Sequence, residues 1–317
     1  MYAAILDPTQ DIVPHYGEFA EPEPDPNHQV VDLVATGIHQ LTRRVAIGQH
    51  YGSTTATGPI VPGIEGVART ADGTLIYTGY PRAPFGMLGE RIPVAIGMAF
   101  VLPDGADPVT IAAGMNPGVS SWLPLRQQEA LGTVIVTGAT GVAGKMAIAN
   151  ARLLGATRVI ALGRSPAALD ALPSGTVTVA LSGDKTADAV AIRDAIGDES
   201  PSVVLDYVWG AVAETLFAAL QSYGLDEVEG TIRYVQIGSA GGPDATLPAS
   251  LLRARPITIV GSGAGSTSME TLMRELPAYL DVLARGDVTL ETRVYPLERV
   301  ADAWTDATPG VRAVVVP

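Results

Sequence analysis

Residues 133–164 read TVIVTGATGVAGKMAIANARLLGATRVIALGR, and this stretch decides the fold. An apolar run at 133–137 is followed by a glycine-rich turn, a helical pattern over 145–154 and a second apolar run at 158–162. Strand, glycine turn, helix and strand in this order are typical of the βαβ unit that binds a nucleotide at the turn. We therefore expect a parallel sheet with a ligand site where the first strand ends.

The pattern of alternating strands and helices continues on the carboxyl side of this unit. It predicts helices at 166–172, 186–196 and 211–222, and strands at 176–181, 202–206, 232–237 and 256–260. Because such alternation places helices on both faces of a parallel sheet, we expect the α/β fold class with a doubly wound parallel sheet.

The two ends of the chain have a different character. The first third consists of short apolar runs separated by Pro, Gly and Asp, which indicates an irregular β-rich region. A helix start at 108–113 and a helical stretch at 119–131 lead into the central sheet. The tail predicts a helix at 268–284 and strands near 289–294 and 313–316. Since these strands have no sheet of their own, we expect them to complete the amino-terminal domain, which is then discontinuous.

Composition excludes several classes of protein. The net charge of −13 over 317 residues argues against nucleic-acid binding, which depends on Lys and Arg. The absence of cysteine excludes disulfides, thiolate zinc sites and a cysteine nucleophile. Since no apolar run reaches membrane-spanning length and the first residues do not resemble a leader, we expect a soluble cytoplasmic protein with no membrane partner.

The glycine turn predicts a dinucleotide site. Its sequence, GATGVAG over 138–144, has the spacing GxxGxxG and opens a helix directly after a strand. A glycine lets the backbone approach a pyrophosphate, and the helix amino terminus presents free N–H groups to it. The alternative is a tight turn without a ligand. The predicted cofactor contacts of the turn are Gly138, Thr140, Gly141, Val142 and Ala143.

The second strand indicates which dinucleotide binds. It ends at Gly163, Arg164 and Ser165, where a site that prefers NAD usually carries an acidic residue for the adenosine ribose. Arg164 could instead hold a 2′-phosphate with its charge and forked donors, and Ser165 could add a hydroxyl. The alternative is a solvated surface arginine. We expect NADPH as the cofactor.

Two later strand ends should border the same cofactor, because ligands of open α/β sheets bind outside the carboxyl ends of the strands. Asp206 precedes Tyr207 at the first of these ends, and could also cap the following helix. The predicted contacts here are Tyr207, Ile237, Gly238 and Ser239.

With these landmarks in place, the chain resembles the medium-chain dehydrogenase/reductase superfamily, and within it the zinc-free quinone oxidoreductase branch. Besides the glycine turn, the resemblance rests on PGIEGV at 62–67, VLD at 204–206, VQIG at 235–238, IVGS at 259–262 and PLERVADA at 296–303. It implies a GroES-like catalytic domain formed by 1–115 and 263–317, and a Rossmann cofactor domain formed by 116–262. It also implies an active site in the cleft between the domains and a homodimer joined through edge strands near 256–262.

The chain departs from the zinc-bearing members of this superfamily. Ile64 stands where those members have a histidine ligand, and His39 and Asn116 fall near the positions of two other ligands. One imidazole and one amide do not make a catalytic zinc site, which needs three protein ligands. We therefore expect no metal.

Without a metal, the expected reaction is hydride transfer from NADPH to a quinone or an α,β-unsaturated carbonyl, whose delocalised charge needs no Lewis acid. His39, Asn116 and Tyr51 are the candidate catalytic residues. The resemblance implies that Ser120 contacts the nicotinamide, and Ser262 is a further candidate cofactor contact. Alternatives are a structural role for His39, helix capping by Asn116 and simple packing for Tyr51.

Two other functions compete with this one. A zinc-free alcohol dehydrogenase or ketone reductase would need stronger polarisation of the carbonyl. A non-catalytic NADPH-binding redox sensor would explain the weak set of catalytic side chains. The short-chain dehydrogenases are excluded, because neither Lys145 nor Lys185 follows a tyrosine at the Tyr-x-x-x-Lys spacing.

Overall fold

A computed structural model describes residues 1–23, 25–53, 58–221 and 230–317. Its strands are β1 (Tyr2–Ile5), β2 (His15–Glu18), β3 (His28–Ile38), β4 (Glu65–Arg69), β5 (Leu75–Gly79), β6 (Arg91–Ala95), β7 (Ala99–Val101), β8 (Thr133–Thr137), β9 (Arg158–Gly163), β10 (Val177–Ala180), β11 (Val203–Asp206), β12 (Ile232–Gln236), β13 (Ile257–Gly261), β14 (Glu291–Pro296) and β15 (Val311–Val316). Its α-helices are α1 (Gln40–Ala46), α2 (Pro108–Arg126), α3 (Val142–Leu153), α4 (Pro166–Asp170), α5 (Lys185–Ile196), α6 (Gly210–Leu220), α7 (Ala249–Ala254), α8 (Met269–Ala284) and α9 (Val300–Thr305). Short 3₁₀ turns occupy Ile96–Met98, Ala264–Ser266 and Leu297–Arg299.

The chain folds into two compact units. One contains Met1–Met115 and Leu276–Pro317, and the other contains Asn116–Glu275. The division predicted from the sequence differs from these units only in its last boundary, at 262/263.

The second unit contains the parallel sheet, with the strand order β10-β9-β8-β11-β12-β13. All of its described strand pairs are parallel. Helices cover both faces: Ile135 of β8 packs in the same core as residues of α5 and α6, whereas its neighbours Val134 and Val136 pack with residues of α3. This is the doubly wound Rossmann arrangement, and the α/β fold class predicted from the sequence is confirmed.

The first unit is β-rich and discontinuous, as predicted. Its larger sheet has the order β14-β15-β3-β4-β5-β7, with β6 also paired to β3. The carboxyl-terminal β15 pairs antiparallel with β3, where Ala313 faces Ile38. The core of this unit therefore joins the two chain ends, and Ala313, Val315 and Ile38 are buried in one cluster.

The structure corrects the predicted helix boundaries at α2. The sequence suggested separate segments at 108–113 and 119–131, but one helix runs from Pro108 to Arg126 through Pro117 and Pro124. A proline inside a helix removes one backbone donor and crowds the carbonyl four residues earlier, at a cost of about 3 kcal/mol. The helix is held in place by buried contacts on both sides of Pro117, because Ile111 and Leu125 are almost fully buried.

The other elements match the predictions closely, with exceptions that have simple reasons. The helices α1, α7 and α9 were not predicted, since at 7, 6 and 6 residues they are too short for a periodic pattern. The helix predicted at 211–222 is observed as Gly210–Leu220, and residue 222 lies outside the described residues. Among the helices described, none combines the length and apolarity needed to cross a membrane.

Candidate cofactor site

The strand order defines where a ligand should bind in the parallel sheet. From β8 the chain passes to β9 and β10 on one side, and the later strands β11, β12 and β13 lie on the other. The order thus reverses between β8 and β11, and open α/β sheets bind ligands at this switch point, outside the carboxyl ends of the strands. The predicted cofactor residues follow the ends of these strands.

The turn after β8 has the close packing that its glycines predict. Gly138 adopts φ +60°, a conformation that favours glycine. A Cβ on Gly144 would lie 2.3 Å from the Gly138 carbonyl oxygen and 2.6 Å from the Ala139 Cα. Gly144 therefore allows α3 to rest directly on the turn. In contrast, a Cβ on Gly141 would come no closer than 3.4 Å to the Gly138 oxygen.

The amino terminus of α3 is open to a ligand. Gly141 is its N-cap and makes no side-chain capping hydrogen bond, and α3 begins at Val142. The first amides of a helix have no intrahelical acceptor. Those of Val142 and Ala143 are thus presented next to Thr140 without competition from a capping side chain. The turn fits a phosphate or diphosphate.

The end of β9 presents an exposed arginine. Arg164 is exposed and makes no hydrogen bond or ion pair with any residue that the structure describes. Ser165 caps α4, because its hydroxyl accepts a hydrogen bond from the Ala168 amide at 3.3 Å. The hydroxyl proton of Ser165 is still available for an acceptor. Gly163 lies beside Thr140, whose methyl group would be 3.3 Å from a Cβ at that position.

A buried carboxylate organises the switch point. Asp206 at the end of β11 is fully buried and accepts from the Thr137 hydroxyl at 2.6 Å and the Tyr234 hydroxyl at 2.6 Å. It also accepts from the Val208 and Trp209 amides at 2.9 and 3.0 Å. The alternative role as cap of α6 is wrong, since the N-cap of α6 is Trp209 and it has no side-chain capping bond. Sequence reasoning missed Thr137 and Tyr234, because their distance along the chain hides the contact.

The ends of β11, β12 and β13 are tied together by their backbones. The Ile237 and Gly238 amides donate to the Asp206 carbonyl at 2.8 and 3.1 Å, and the Ser262 amide donates to the Gln236 carbonyl at 2.8 Å. A Cβ on Gly238 would lie 2.6 Å from the Tyr207 carbonyl oxygen, so glycine is required there. Ser239 follows in the loop after β12.

Trp209 is held in an unusual backbone conformation next to this edge. Its φ of +57° and ψ of −158° are rare for a residue with a side chain. Its ring packs edge-on against Phe217 and Tyr234, with centroid distances of 6.0 and 6.3 Å. The aromatic contacts and the bond to Asp206 stabilise a conformation that glycine would adopt more easily.

Ser120 approaches the same strand ends from α2. Its Oγ donates to the Pro117 carbonyl at 2.6 Å and lies 3.0 Å from the Tyr207 hydroxyl. Burial raises the pKa of Tyr207 to about 12, although the neighbouring Ser120 and Ser121 hydroxyls act in the opposite direction. The structure therefore brings Ser120 and Tyr207, two of the predicted cofactor residues, into direct contact.

Asn116 lies one turn before Ser120 on α2. The sequence prediction placed it at the start of a helix, which is wrong, because α2 begins at Pro108. The alternative of helix capping is thereby removed. The Asn116 side chain makes no hydrogen bond within the described part of the chain.

The other compact unit contains the candidate His39. This side chain is 4% exposed and forms the N-cap of α1, where its Nδ1 accepts from the Thr42 amide at 3.2 Å. Because Nδ1 is an acceptor, the neutral ring carries its proton on Nε2, which lies 3.5 Å from the Glu65 Oε1. Burial lowers the pKa of His39, and the opposing effect of Glu65 offsets this only in part, while Arg312 and Arg43 lower the pKa further.

Glu65 and Tyr77 extend this cluster and were not predicted. The Tyr77 hydroxyl donates to the Glu65 Oε2 at 2.7 Å. Burial first, and then Glu65, raises the pKa of Tyr77 well above its ordinary value. The only sequence signal for the cluster was the glutamate in the 62–67 motif. Both ring nitrogens of His39 have neighbours, and its catalytic role stays a prediction.

Tyr51 differs from His39 in being open to solvent. It is 75% exposed, and its ring packs against His50 at a centroid distance of 4.0 Å. Its side chain is therefore accessible to solvent, and its catalytic role stays a prediction.

No grouping of three His, Asp or Glu side chains suited to a metal occurs within residues 1–23, 25–53, 58–221 and 230–317. Ile64 precedes Glu65 and offers no ligand atom. The absence of a metal stays a prediction.

Comparison with known proteins places these features in a family. No family model matches the chain. A curated protein of Emericella nidulans named "Probable NADPH-dependent quinone reductase tdiC" is 32% identical over 363 aligned positions, which cover 100% of both chains. The quinone oxidoreductase of Thermus thermophilus, also solved with NADPH, has a TM-score of 0.78 at 24% identity, with 100% of both chains covered. The Escherichia coli quinone oxidoreductase complexed with NADPH has a TM-score of 0.79 at 18% identity, again with 100% coverage of both chains. The two structures share the fold, and the identity to the curated relative over its whole length shows that this chain belongs to the quinone oxidoreductase branch of the medium-chain dehydrogenase/reductase superfamily.

Proposed function

We propose that the protein is an NADPH-dependent oxidoreductase that reduces a quinone or an α,β-unsaturated carbonyl without a metal ion. The observation that carries the proposal is the pairing of two open anion sites on neighbouring strands. One is the uncapped amino terminus of α3, and the other is the guanidinium of Arg164 at the end of β9, which has no partner among the described residues. A diphosphate and a ribose 2′-phosphate match these two sites in charge, and the sites follow neighbouring strands of the sheet.

Each predicted cofactor residue has a part in this proposal. The amides of Val142 and Ala143 bind the diphosphate, and Gly138, Thr140 and Gly141 leave room for it. Arg164 and Ser165 bind the 2′-phosphate next to Gly163. Tyr207, Ile237, Gly238, Ser239, Ser262 and Ser120 border the nicotinamide half.

NADPH supplies the hydride that reduces the acceptor. In a quinone or enone, the negative charge that develops on oxygen is delocalised, so hydrogen-bond donors can stabilise it without a Lewis acid. Tyr51, His39 and Asn116 are the proposed donors. Tyr51 is the first to test, because its hydroxyl is exposed and the Nε2 proton of His39 faces Glu65.

The decisive experiment is the oxidation of NADPH by purified, chelator-treated protein with a panel of quinones, enones and saturated ketones. We expect turnover with quinones or enones and little with saturated ketones. Turnover only with saturated ketones would favour the alcohol dehydrogenase alternative. Tight NADPH binding with no turnover of any acceptor would favour the redox sensor. Loss of activity on chelation, restored by zinc, would contradict the metal-free reaction.

Gly141 offers a variant that tests the phosphate site without disturbing the fold. Because a Cβ would fit there at 3.4 Å from its nearest neighbour and φ is −77°, Gly141→Ala should fold normally. The added methyl group faces the approaching diphosphate, and we expect NADPH binding to weaken by about tenfold. Unchanged binding would show that the diphosphate does not approach Gly141.

Arg164 tests the choice of cofactor. The change Arg164→Asp should weaken NADPH by about tenfold or more, since a charge-assisted contact is lost, and should leave NADH almost unaffected. Arg253→Asp makes the same charge change at another exposed position of this unit and is the control. Equal weakening of both nucleotides would show that Arg164 does not contact the 2′-phosphate.

We also propose a homodimer joined through β13 and a cytoplasmic location. The strand order ends at β13, and three of its five residues, Ile257, Ile259 and Val260, are partly buried apolar side chains. A second copy could pair with this edge. Light scattering of the purified protein should give twice the mass of one chain, and a monomer at assay concentration would contradict the dimer. Cell fractionation tests the location.

A further inference from the structure

Ser120 and Tyr207 form a hydroxyl chain at the switch point of the parallel sheet. They lie 87 residues apart in sequence, and their oxygens are 3.0 Å apart. The Ser120 Oγ is also 2.6 Å from the Pro117 carbonyl, which is close for a hydrogen bond between two oxygens. All three residues belong to the unit formed by 116–275.

The direction of these hydrogen bonds follows from counting protons. A serine hydroxyl has one proton, and a carbonyl oxygen can only accept. The short bond to Pro117 therefore uses the Ser120 proton. The Tyr207 hydroxyl must then be the donor in its contact with Ser120. Of the two lone pairs on the Ser120 oxygen, one accepts from Tyr207 and the other is left for a donor on a ligand.

The tyrosine is well suited to this fixed role. Its amide donates to the Thr137 hydroxyl at 3.0 Å, and that hydroxyl donates in turn to the buried Asp206. A Cβ on Gly138 would lie 3.6 Å from the Tyr207 Cβ, so the ring starts beside the glycine turn. With a pKa of about 12, the phenol keeps its proton throughout the physiological range. The Tyr207 hydroxyl therefore always has a proton to donate, and the Tyr207 backbone is held in place by its hydrogen bond to Thr137.

We infer that Tyr207 is a positioning residue that holds the Ser120 hydroxyl as a hydrogen-bond acceptor for the amide N–H of the nicotinamide carboxamide. The inference rests on the proposed function, because it requires a nicotinamide at the switch point. Among the groups on a nicotinamide ring, the carboxamide NH₂ is the donor that an acceptor-only serine can bind. The contact fixes the rotation of the ring, and hence the direction in which its reactive carbon points.

The test compares NADPH with its reduced 3-acetylpyridine analogue, in which a methyl ketone replaces the carboxamide and no N–H is present. Affinities of both nucleotides are measured by fluorescence titration for the wild type, Tyr207→Phe, Ser120→Ala and the double variant. We expect the wild type to prefer NADPH by about fivefold, the value of one ordinary hydrogen bond. Ser120→Ala should abolish the preference, and Tyr207→Phe should reduce it to about twofold.

The double variant separates positioning from a general structural role. If Tyr207 acts through Ser120, the double variant should equal Ser120→Ala in its preference, with no further loss. Ser120→Thr keeps the hydroxyl and should keep the preference. Tyr295→Phe, which removes a hydroxyl bonded to Asp306 at 2.9 Å in the other unit, is the matched control and should leave it unchanged.

The possible failures are distinguishable. If Tyr207→Phe weakens both nucleotides equally, Tyr207 has only a structural role and the inference is overturned. The same conclusion follows if the wild type binds both nucleotides equally well. If the wild type binds neither nucleotide, the proposed function fails and the inference fails with it. If it binds both with the expected preference but reduces no quinone or enone, only the proposed reaction is overturned and the inference stands.

Discussion

Each compact unit contains a carboxylate among polar neighbours, but the two carboxylates differ in the number of hydrogen bonds that they accept. Asp206 in the parallel sheet receives four hydrogen bonds, from two hydroxyls and two amides. Glu65 in the β-rich unit receives one on Oε2 from Tyr77, and its buried Oε1 has no hydrogen-bond partner among the described residues. Buried Nε atoms of Arg43 and Arg312, which influence the same His39, are also without partners there. A fully satisfied network holds one geometry, whereas a partly satisfied one can respond to a ligand or to pH.

The largest effect should follow from Asp206→Asn. The change removes the charge that four donors face and leaves at least one of them opposed to an amide N–H. Because hydrogen bonds to a buried charge are strong, we expect the free energy of unfolding to fall by about 3 kcal/mol. Urea unfolding measures the free energy of unfolding of each variant. Asp194→Asn, at an exposed position of α5, is the control and should change that free energy by less than about 0.5 kcal/mol. If Asp206→Asn and Asp194→Asn both lower the free energy of unfolding by a similar small amount, the hydrogen bonds to Asp206 do not distinguish it from an exposed carboxylate.

Two buried threonines give a smaller and directly matched pair. The Thr137 hydroxyl donates to Asp206 and accepts from the Tyr207 amide, while the Thr36 hydroxyl donates only to the Glu65 carbonyl at 2.8 Å. Thr137→Val should therefore cost about 2 kcal/mol and Thr36→Val about 1 kcal/mol in unfolding free energy. A larger loss for Thr36→Val than for Thr137→Val would mean that the hydrogen bonds around Glu65 stabilise the fold more than those around Asp206.

Glu65→Gln should have a still smaller effect on stability. The glutamine oxygen can still accept from Tyr77, and we expect a loss of about 1 kcal/mol or less. The pKa of His39 should fall further, because Glu65 is the group that raises it. Titration of the His39 ring by NMR checks the direction, and a rise of that pKa would show that Glu65 does not favour the charged ring.

The smallest effect is a pH dependence. The pKa of His39 is lowered in the folded state, so between that value and the unfolded value near 6.5 the unfolded chain binds more protons. The stability contributed by the neutral ring is therefore complete above about pH 6.5 and declines as the pH falls below it. His39→Asn keeps a capping oxygen but does not titrate. The measurement compares the free energy of unfolding at about pH 7.5 and about pH 5.5, roughly the range in which histidine titrates. Over this range the wild type should lose more unfolding free energy than His39→Asn. Equal losses would show that His39 does not titrate in this way.

Local patterns were sufficient to predict the Rossmann half. The strand, turn and helix of 133–164 are recognised by periodicity and by glycines whose packing is steric, as Gly144 shows with a clash at 2.3 Å. The interruption expected near Pro117 was wrong, because tertiary packing along α2 outweighs the loss of a backbone donor.

The polar contacts could not be predicted in the same way. Tyr207 and Ser120 were each singled out, but their contact joins residues 87 positions apart and depends on how α2 lies over the sheet. The hydrogen bond between Tyr234 and Asp206 could not be predicted either, because the two residues lie 28 positions apart in the sequence. For His39, the sequence left catalysis and structure as alternatives, since no local pattern shows that its Nδ1 caps a helix of only 7 residues.

The constrained Trp209 gives the molecule an optical reporter. Indole emission overlaps the absorption band of a reduced nicotinamide, and energy transfer between them depends on distance and orientation. A rigid ring, fixed by its backbone and by Phe217 and Tyr234, has a defined orientation. In a protein whose other tryptophans, Trp122 and Trp304, are replaced by phenylalanine, the emission of Trp209 would follow nucleotide binding and release in real time, with no added dye.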